Sequence, residues 1–424
     1  MLMLAFADSC VAAQTVNSRA PFEAPAALEA DVAFWVRIYS ELSSREGVVH
    51  DAETLQVYEQ VSDLPPELSD ERRDVVKALV EHHRDRLERL AAADHKALLG
   101  AAERVRFQSG QADRFRQGLE RAGAWREQIE RMLAEAGLPA ELAALPHVES
   151  SYDPWAYSKS GAAGLWQLMR ATGRRHNLRV DERVDERFDP LASTNAAIAY
   201  LREAHDRLGS WPLAVIAYNH GVNGMLRAKT QLGSADVVRV LRDYRAPSFK
   251  FASRSFYPSF LAALQVERNA LQLFGEIAPT PQWQTCTAAL SRDVSAGEVA
   301  AAFGRPIDLL QALNPALRPA VWSGAAAVPA GYALRVPEEV AENHITFDWL
   351  SAAAWRTEHV VPEPIYIVRP GDSVWRISSS HGMPVSDLLA LNDIARPDVI
   401  HVGQRLRLRA EECMGACRCI RAVA

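Results

Sequence analysis

The stretch Leu145–Met169, LPHVESSYDPWAYSKSGAAGLWQLM, sets one glutamate, Glu149, ahead of a run of small residues and a Trp-Gln pair. The apolar Leu142, Leu145 and Val148 place this acid at the end of a largely buried helix, where desolvation raises a carboxyl pKa toward neutrality. A carboxyl that keeps its proton near neutral pH is what a general acid requires. Gly161, Ala162, Ala163 and Gly164 have side chains small enough for a polymer to approach the backbone, and Tyr152, Trp155 and Trp166 offer flat apolar faces of the kind that pack against sugar rings. No second carboxylate stands at a matching spacing; Asp153, before Pro154, reads as a turn residue.

Helices have to position these groups. From about Leu28 to Met132 the pattern is charged and helical, as in ERRDVVKALVEHHRDRLERLAAADHKALL, which holds neither Pro nor Gly and reads as solvated helix faces without chemistry. From Leu133 to about Glu276 the helical pattern is richer in aromatics, Gly and Ser, with helices over Pro190–Leu208 and Trp211–Asn219 set apart by RLGSWP and NHGVNG. Asp189 reads as the cap of the first of these, worth at most about 1 kcal/mol. After APTPQW short apolar runs take over, and a domain boundary falls there.

The region beyond that boundary contains a repeat. FGRPIDLLQALN at Phe303–Asn314 reads against HGMPVSDLLALN at His381–Asn392, and the copies close on GYALRVP and GQRLRLR. Two strand-helix-helix-strand units follow from this. The second opens on YIVRPGDSVWRIS, an extended YIV and a PGDS turn capping a helix that contains Trp375 and Ile377.

A chain of 424 residues implies two or three domains, and 48% hydrophobic with 24% charged residues is the composition of a folded protein. The net charge of -6 argues against a nucleic-acid partner, and the absence of a run of about 18 apolar residues argues against a spanning helix. MLMLAFADSCVAAQTVNSRA resembles the back half of an export signal, so residues 1–24 read as a signal remnant or a disordered N-terminus. Cys10 lies in FADSC, near a lipoprotein cleavage pattern from which Asp8 departs, which leaves an outer-membrane lipid anchor as an open alternative. In the tail, residues 410–424, CMGACRC has no matching Cys/His pair, so it reads as a structural or accidental segment with no metal.

The second repeat, Tyr366 to Leu408, resembles a LysM module. That resemblance implies binding of N-acetylglucosamine polymers, with Gly371, Asp372, Ser373, Asn392 and Ile394 near the sugar groove; Asp372 and Asn392 have an alternative reading as helix-end residues. The first repeat lacks the GDS turn and resembles a degenerate LysM unit. The ordered motifs ES, Ala156, Ser158, GAAGLWQLM, FDPLASTNAAIAYL and WPLAVIAYNHG resemble the soluble lytic transglycosylase domain, and with the LysM tail the chain is similar to the membrane-bound lytic murein transglycosylase D family over roughly Arg114 to Leu408. Trp166 stands where that family usually has Met.

The resemblance implies a mainly α fold: an N-terminal helical extension over residues 25–132, a lysozyme-like helical catalytic domain over 133–276, and small βααβ units over 285–338 and 364–409. It implies a lyase that cuts peptidoglycan glycan strands between N-acetylmuramic acid and N-acetylglucosamine in the cell envelope, with no cofactor. Glu149 would serve as acid and then base, Ser158 and Gln167 would hold the muramic N-acetyl and peptide-bearing end, Tyr218 and Asn219 would orient Glu149 and the reacting centre, and Tyr257 is a further substrate-binding candidate. Because the muramic C6 hydroxyl is the nucleophile in such enzymes, no second carboxylate is needed. A goose-type lysozyme-like hydrolase and a non-catalytic peptidoglycan-binding protein are the alternatives; protein partners are left unassigned.

Overall fold

The computed structural model describes residues 21–67, 69–92, 100–280, 282–338, 356–362, 365–368, 372–381, 385–392, 394 and 400–408. Cys10, Gly371 and the cysteine tail lie outside the described residues.

The fold is mainly α-helical. Helix α1 (Glu29–Ser40) buries Val32, Phe34, Trp35, Ile38 and Tyr39. The N-terminal region also holds an antiparallel sheet in the order β2-β1-β3, formed by β1 (Gly47–Asp51), β2 (Val57–Val61) and β3 (Val105–Ser109). The sequence reading passed over it because β1, GVVHD, is buried along its whole length and so shows no alternation. Helix α2 (Asp70–Ala92) is the charged segment, and most of its surface meets solvent.

The motif-bearing helices follow as α3 (Ala112–Ala122), α4 (Arg126–Glu135), α5 (Leu145–Ser150), α6 (Arg170–Arg175), α7 (Pro190–Leu208), α8 (Trp211–His220), α9 (Val222–Leu232), α10 (Val237–Asp243) and α11 (Phe251–Arg268). Helix α11 is buried nearly all round, so it must sit at the centre of the domain; α1 lies along it. One hydrophobic core therefore runs from Phe22 and Leu28 through Leu133, Leu145 and Leu201 to Phe260 and Val266. The N-terminal helices share this core and are part of the body that carries Glu149.

In the tail, β4 (Gln282–Ala289), β5 (Ala333–Pro337) and β6 (Arg356–Pro362) form a sheet in the order β5-β4-β6, with helices Ala296–Phe303, Ile307–Leu313 and Pro319–Trp322 packed against it. Strands β7 (Ile365–Ile367) and β8 (Arg405–Arg407) pair antiparallel beside helices Val374–Ser380 and Val385–Leu391. The repeat is realised atom for atom at one position. Asn314 Nδ2 donates to the Leu310 and Arg335 carbonyls at 2.8 Å each and its Oδ1 accepts from Arg335 N. Asn392 does the same with Leu388 O, Arg407 O and Arg407 N. No described helix is long and apolar enough to cross a membrane.

Candidate active site

Glu149 sits on the last turn of α5, a helix of six residues that would not survive alone. Tertiary contacts hold it. Ser150 Oγ donates to Leu165 O at 2.8 Å, which ties the turn after the acid to the glycine loop and explains the Glu-Ser pair. The chain then leaves through two consecutive non-glycine residues in the left-handed region, Ser151 (φ 51) and Tyr152 (φ 55), a costly path that persists where surroundings enforce it. Arg121 of α3 enforces it by donating from Nε (2.9 Å) and NH2 (2.6 Å) to Ser151 O, and Tyr152 donates its hydroxyl to Ala143 O. On the buried face of α5, His147 stacks on Phe115 with ring centroids 4.7 Å apart and lies 3.5 Å from Glu267. Burial pushes the Glu267 carboxyl up, but His147 and Arg126 together pull it below its ordinary value, while burial lowers the His147 imidazole against the opposing pull of Glu267.

Glu149 itself is only partly exposed and makes no ion pair among the described residues; desolvation alone raises its carboxyl from 4.5 to about 8. Around it stand two hydroxyls raised above their usual range by burial and further by the Glu149 charge. One is Tyr218 of α8; the other is Tyr39 of α1. Tyr39 was missed at the sequence level, because a Tyr on an apolar helix face 110 positions from the acid carries no motif. Arg121 and Glu267 are likewise far along the chain from the acid, whereas His147 stands two positions before it in LPHVESS and only its burial against Phe115 was not readable there.

The glycine loop is built on its own backbone. Ser158 N donates to Ala162 O, Ala162 N donates to Ser158 Oγ at 2.9 Å, and Gly164 N donates to Ala156 O at 2.8 Å. Gly164 has φ 76, and a Cβ there would lie 1.8 Å from the Arg187 carbonyl oxygen, so only glycine fits. Gln167 (φ 46) donates Nε2 to Gly164 O at 2.8 Å and Ala156 O at 3.2 Å. Tyr218 Oη donates to Trp166 O at 2.8 Å, which links α8 to the loop. Asn219 is exposed and accepts from Ser253 Oγ at 2.9 Å. Tyr257, on α11, is 1% exposed and belongs to the core.

Two expectations about aromatic faces need correction. Trp166 and Tyr152 are fully buried, so neither can meet a sugar. Trp166 is an anchor: its indole donates to Thr194 Oγ1 at 2.8 Å and pins the loop to α7, a job its bulk and N–H allow and that accounts for Trp at this position. The exposed large apolar groups beside the loop are Tyr157 (66%) and Met169 (45%), with Trp155 partly exposed.

In the second tail unit, Asp372 accepts from Tyr366 Oη at 2.6 Å, Ser373 Oγ caps its helix by accepting from Arg376 N, and Ile394 packs on the module core. The Asn392 amide is committed to the backbone contacts given above. Trp375, by contrast, is 72% exposed.

These motifs and their order define a known pair of domains: the transglycosylase SLT domain family matches residues 128–237 and the LysM domain family matches residues 366–409. The chain is related to the membrane-bound lytic murein transglycosylase D family. It is 29% identical over 281 residues to membrane-bound lytic murein transglycosylase D of Escherichia coli K12, a match covering 64% of this chain and 60% of that protein. It is also 36% identical over 88 residues to membrane-bound lytic murein transglycosylase F of Alcanivorax borkumensis, covering 19% of this chain and 17% of that protein. The chain thus spans less than two thirds of the length of the Escherichia coli relative. Among solved structures, the 70 kDa soluble lytic transglycosylase of Escherichia coli aligns with a TM-score of 0.29 at 20% identity, over 35% of this chain and 24% of that one.

Because Arg121 carries two charge-assisted hydrogen bonds to the carbonyl that ends α5, Arg121→Met is expected to cost about 1.5–3 kcal/mol per bond lost at most. Urea unfolding checks this, and an unchanged midpoint would mean that α3 does not hold the Glu149 helix.

Proposed function

We propose that this protein is a peptidoglycan lytic transglycosylase of the cell envelope that cleaves the β-1,4 bond between N-acetylmuramic acid and N-acetylglucosamine. Glu149 gives its proton to the glycosidic oxygen as the bond from that oxygen to the muramic C1 breaks. The resulting carboxylate then takes the proton of the muramic C6 hydroxyl as its oxygen closes on C1. A 1,6-anhydro ring forms, water is not consumed, and Glu149 ends the cycle protonated.

The observation that carries this reading is the isolation of Glu149. Its carboxyl is raised by desolvation alone to about 8, so it holds a proton to give at neutral pH. The aspartates that a hydrolase would need are otherwise engaged: Asp153 pairs with Arg405 at 2.8 Å, Asp185 with Arg187 at 2.7 Å, and Asp189 with Arg335 at 2.6 Å. A carboxylate already held by an arginine has its oxygens committed to that partner and not to a water, which weighs against a goose-type hydrolase.

Ser158 and Gln167 act from the glycine loop on the N-acetyl and peptide-bearing end of the muramic residue. Tyr218 and Asn219 orient the acid and the reacting centre, and buried Tyr257 supports that wall from behind. The LysM domain holds the glycan strand through the loops around Gly371, Asp372, Ser373 and Ile394, with Asn392 shaping the groove. Mass spectrometry of the products from purified peptidoglycan tests the whole reading. Fragments ending in the anhydro ring are expected; fragments heavier by one water would replace the proposal with hydrolysis.

A further inference from the structure

The tail units are docked in two different ways. The second has a core of its own and touches the catalytic body through half-exposed ion pairs, Arg405–Asp153 and Arg407–Glu120 at 3.0 Å. The first exchanges core residues with that body. Val184, from the loop between α6 and α7, is fully buried within the first unit's core, while Leu309 and Leu313 of the first unit belong to the catalytic core. The backbones bond across the junction as well: Asp185 N donates to Ala316 O at 2.7 Å and Arg318 N to Arg183 O at 2.9 Å.

From this junction a line of contacts leads to the glycine loop. Arg318 NH1 approaches Asp185 Oδ2 at 3.3 Å. The fully buried Asp185 carboxylate accepts from Arg187 Nε at 2.9 Å and NH2 at 2.7 Å. Arg187 NH1 then donates to Gly161 O at 2.7 Å and Leu168 O at 3.0 Å, at the start of the small-residue segment and at the end of the loop that carries it. The Arg187 carbonyl is also the atom against which Gly164 packs.

We propose that the 285–338 unit works as a built-in clamp of the catalytic domain and not as a second glycan-binding module, with Val184, Asp185 and Arg318 acting through Arg187 as positioning residues for the loop Ser158–Leu168. A degenerate LysM repeat is suited to this. Its closing-strand arginine, Arg335, reaches the buried Asp189 at the start of α7, whereas the equivalent Arg407 of the second unit reaches the partly exposed Glu120. The consequence for substrate rests on the proposed function, because Ser158 and Gln167 lie on the clamped loop.

The test uses the full chain. Val184→Ala and Arg318→Met each loosen the junction and leave the loop's own residues in place. Hydrogen exchange at the Ala162, Ala163 and Leu168 amides is expected to quicken roughly tenfold in both variants. KM for a soluble tetrasaccharide of alternating N-acetylglucosamine and N-acetylmuramic acid should rise several-fold while kcat stays within about twofold. Arg318→Lys should return most of the protection, and Arg405→Met, which removes one of the second unit's two ion pairs and leaves the first unit's junction intact, should leave loop exchange unchanged. Unchanged exchange in both loosened variants overturns the proposal, as does an equal change in Arg405→Met. If a variant fails to fold, the other decides. Failure of the wild-type chain to release anhydro products would count against the proposed reaction alone, since the exchange comparison needs no turnover.

Discussion

Replacing Glu149 by Gln is expected to lower turnover by a factor on the order of 10² or more, because the substitution keeps the shape of the side chain and removes the proton that general acid catalysis transfers. Binding of glycan should survive, since the two side chains are nearly isosteric. The raised carboxyl also predicts two pH effects with definite signs. In the wild type the donating form is lost as pH rises through about 8, so the acid-dependent limb of activity falls there. For stability, a carboxyl whose folded value lies above its ordinary 4.5 binds a proton more tightly when folded, so stability declines as pH rises from that ordinary value toward about 8 and then levels off. Glu149→Gln removes this penalty and should melt higher than wild type above pH 8, with the two melting curves converging in acid. Near-wild-type turnover in the variant, measured on purified peptidoglycan, removes Glu149 from the mechanism.

Arg335→Met is expected to destabilise the protein by about 3–5 kcal/mol, the usual cost of leaving one member of a buried ion pair without its partner. Asp189 and Arg335 are each about nine-tenths buried at the side chain and meet at 2.6 Å. Burial pushes the Asp189 carboxyl up, but Arg335 and the Leu191 and Ala192 amides together hold it below its ordinary 3.8. Its contribution is therefore fully present above that ordinary value and is lost on the acid side, as pH falls through the lowered one. Asp189→Asn alone keeps a side-chain oxygen for the α7 cap yet takes the counter-charge from Arg335, so it too should destabilise by more than the about 1 kcal/mol of a simple cap. The double variant removes both charges and keeps the cap. It should recover most of the loss, and a strictly additive double variant in chemical denaturation would show that the two residues do not form an energetic pair.

The same residues mark where reading the chain stops being enough. The motifs were legible in the sequence because they are local: Glu149, the serine after it, the small-residue loop and the Tyr-Asn pair of α8 occur as short ordered stretches, and their spacing survives without any knowledge of packing. The helix over Pro190–Leu208, started by Asp189 and Pro190 and stopped by Gly209 at φ 68, was legible for the same reason, since caps act within one turn. The repeat was legible too, down to Asn314 and Asn392, whose equivalent positions make equivalent bonds.

What the tertiary structure decided is every partner far along the chain. A tryptophan reads alike whether it stacks on a sugar or anchors a loop, and only packing places Trp166 in the core and leaves Tyr157 in solvent. Tyr39 joins the Glu149 neighbourhood because α1 lies along α11, a contact for which no local signal exists. Asp189 looks like a cap and is one, but its second oxygen meets Arg335, 146 positions away. The boundary after Glu276 marks a true change of pattern, yet the unit beyond it shares core residues and buried charges with the body before it. Periodicity and capping act over a few residues, whereas desolvation and ion pairing depend on which distant groups burial brings together; the sequence by itself therefore determined the motifs, helix caps and repeat, and the packed structure decided which distant residues hold them in place.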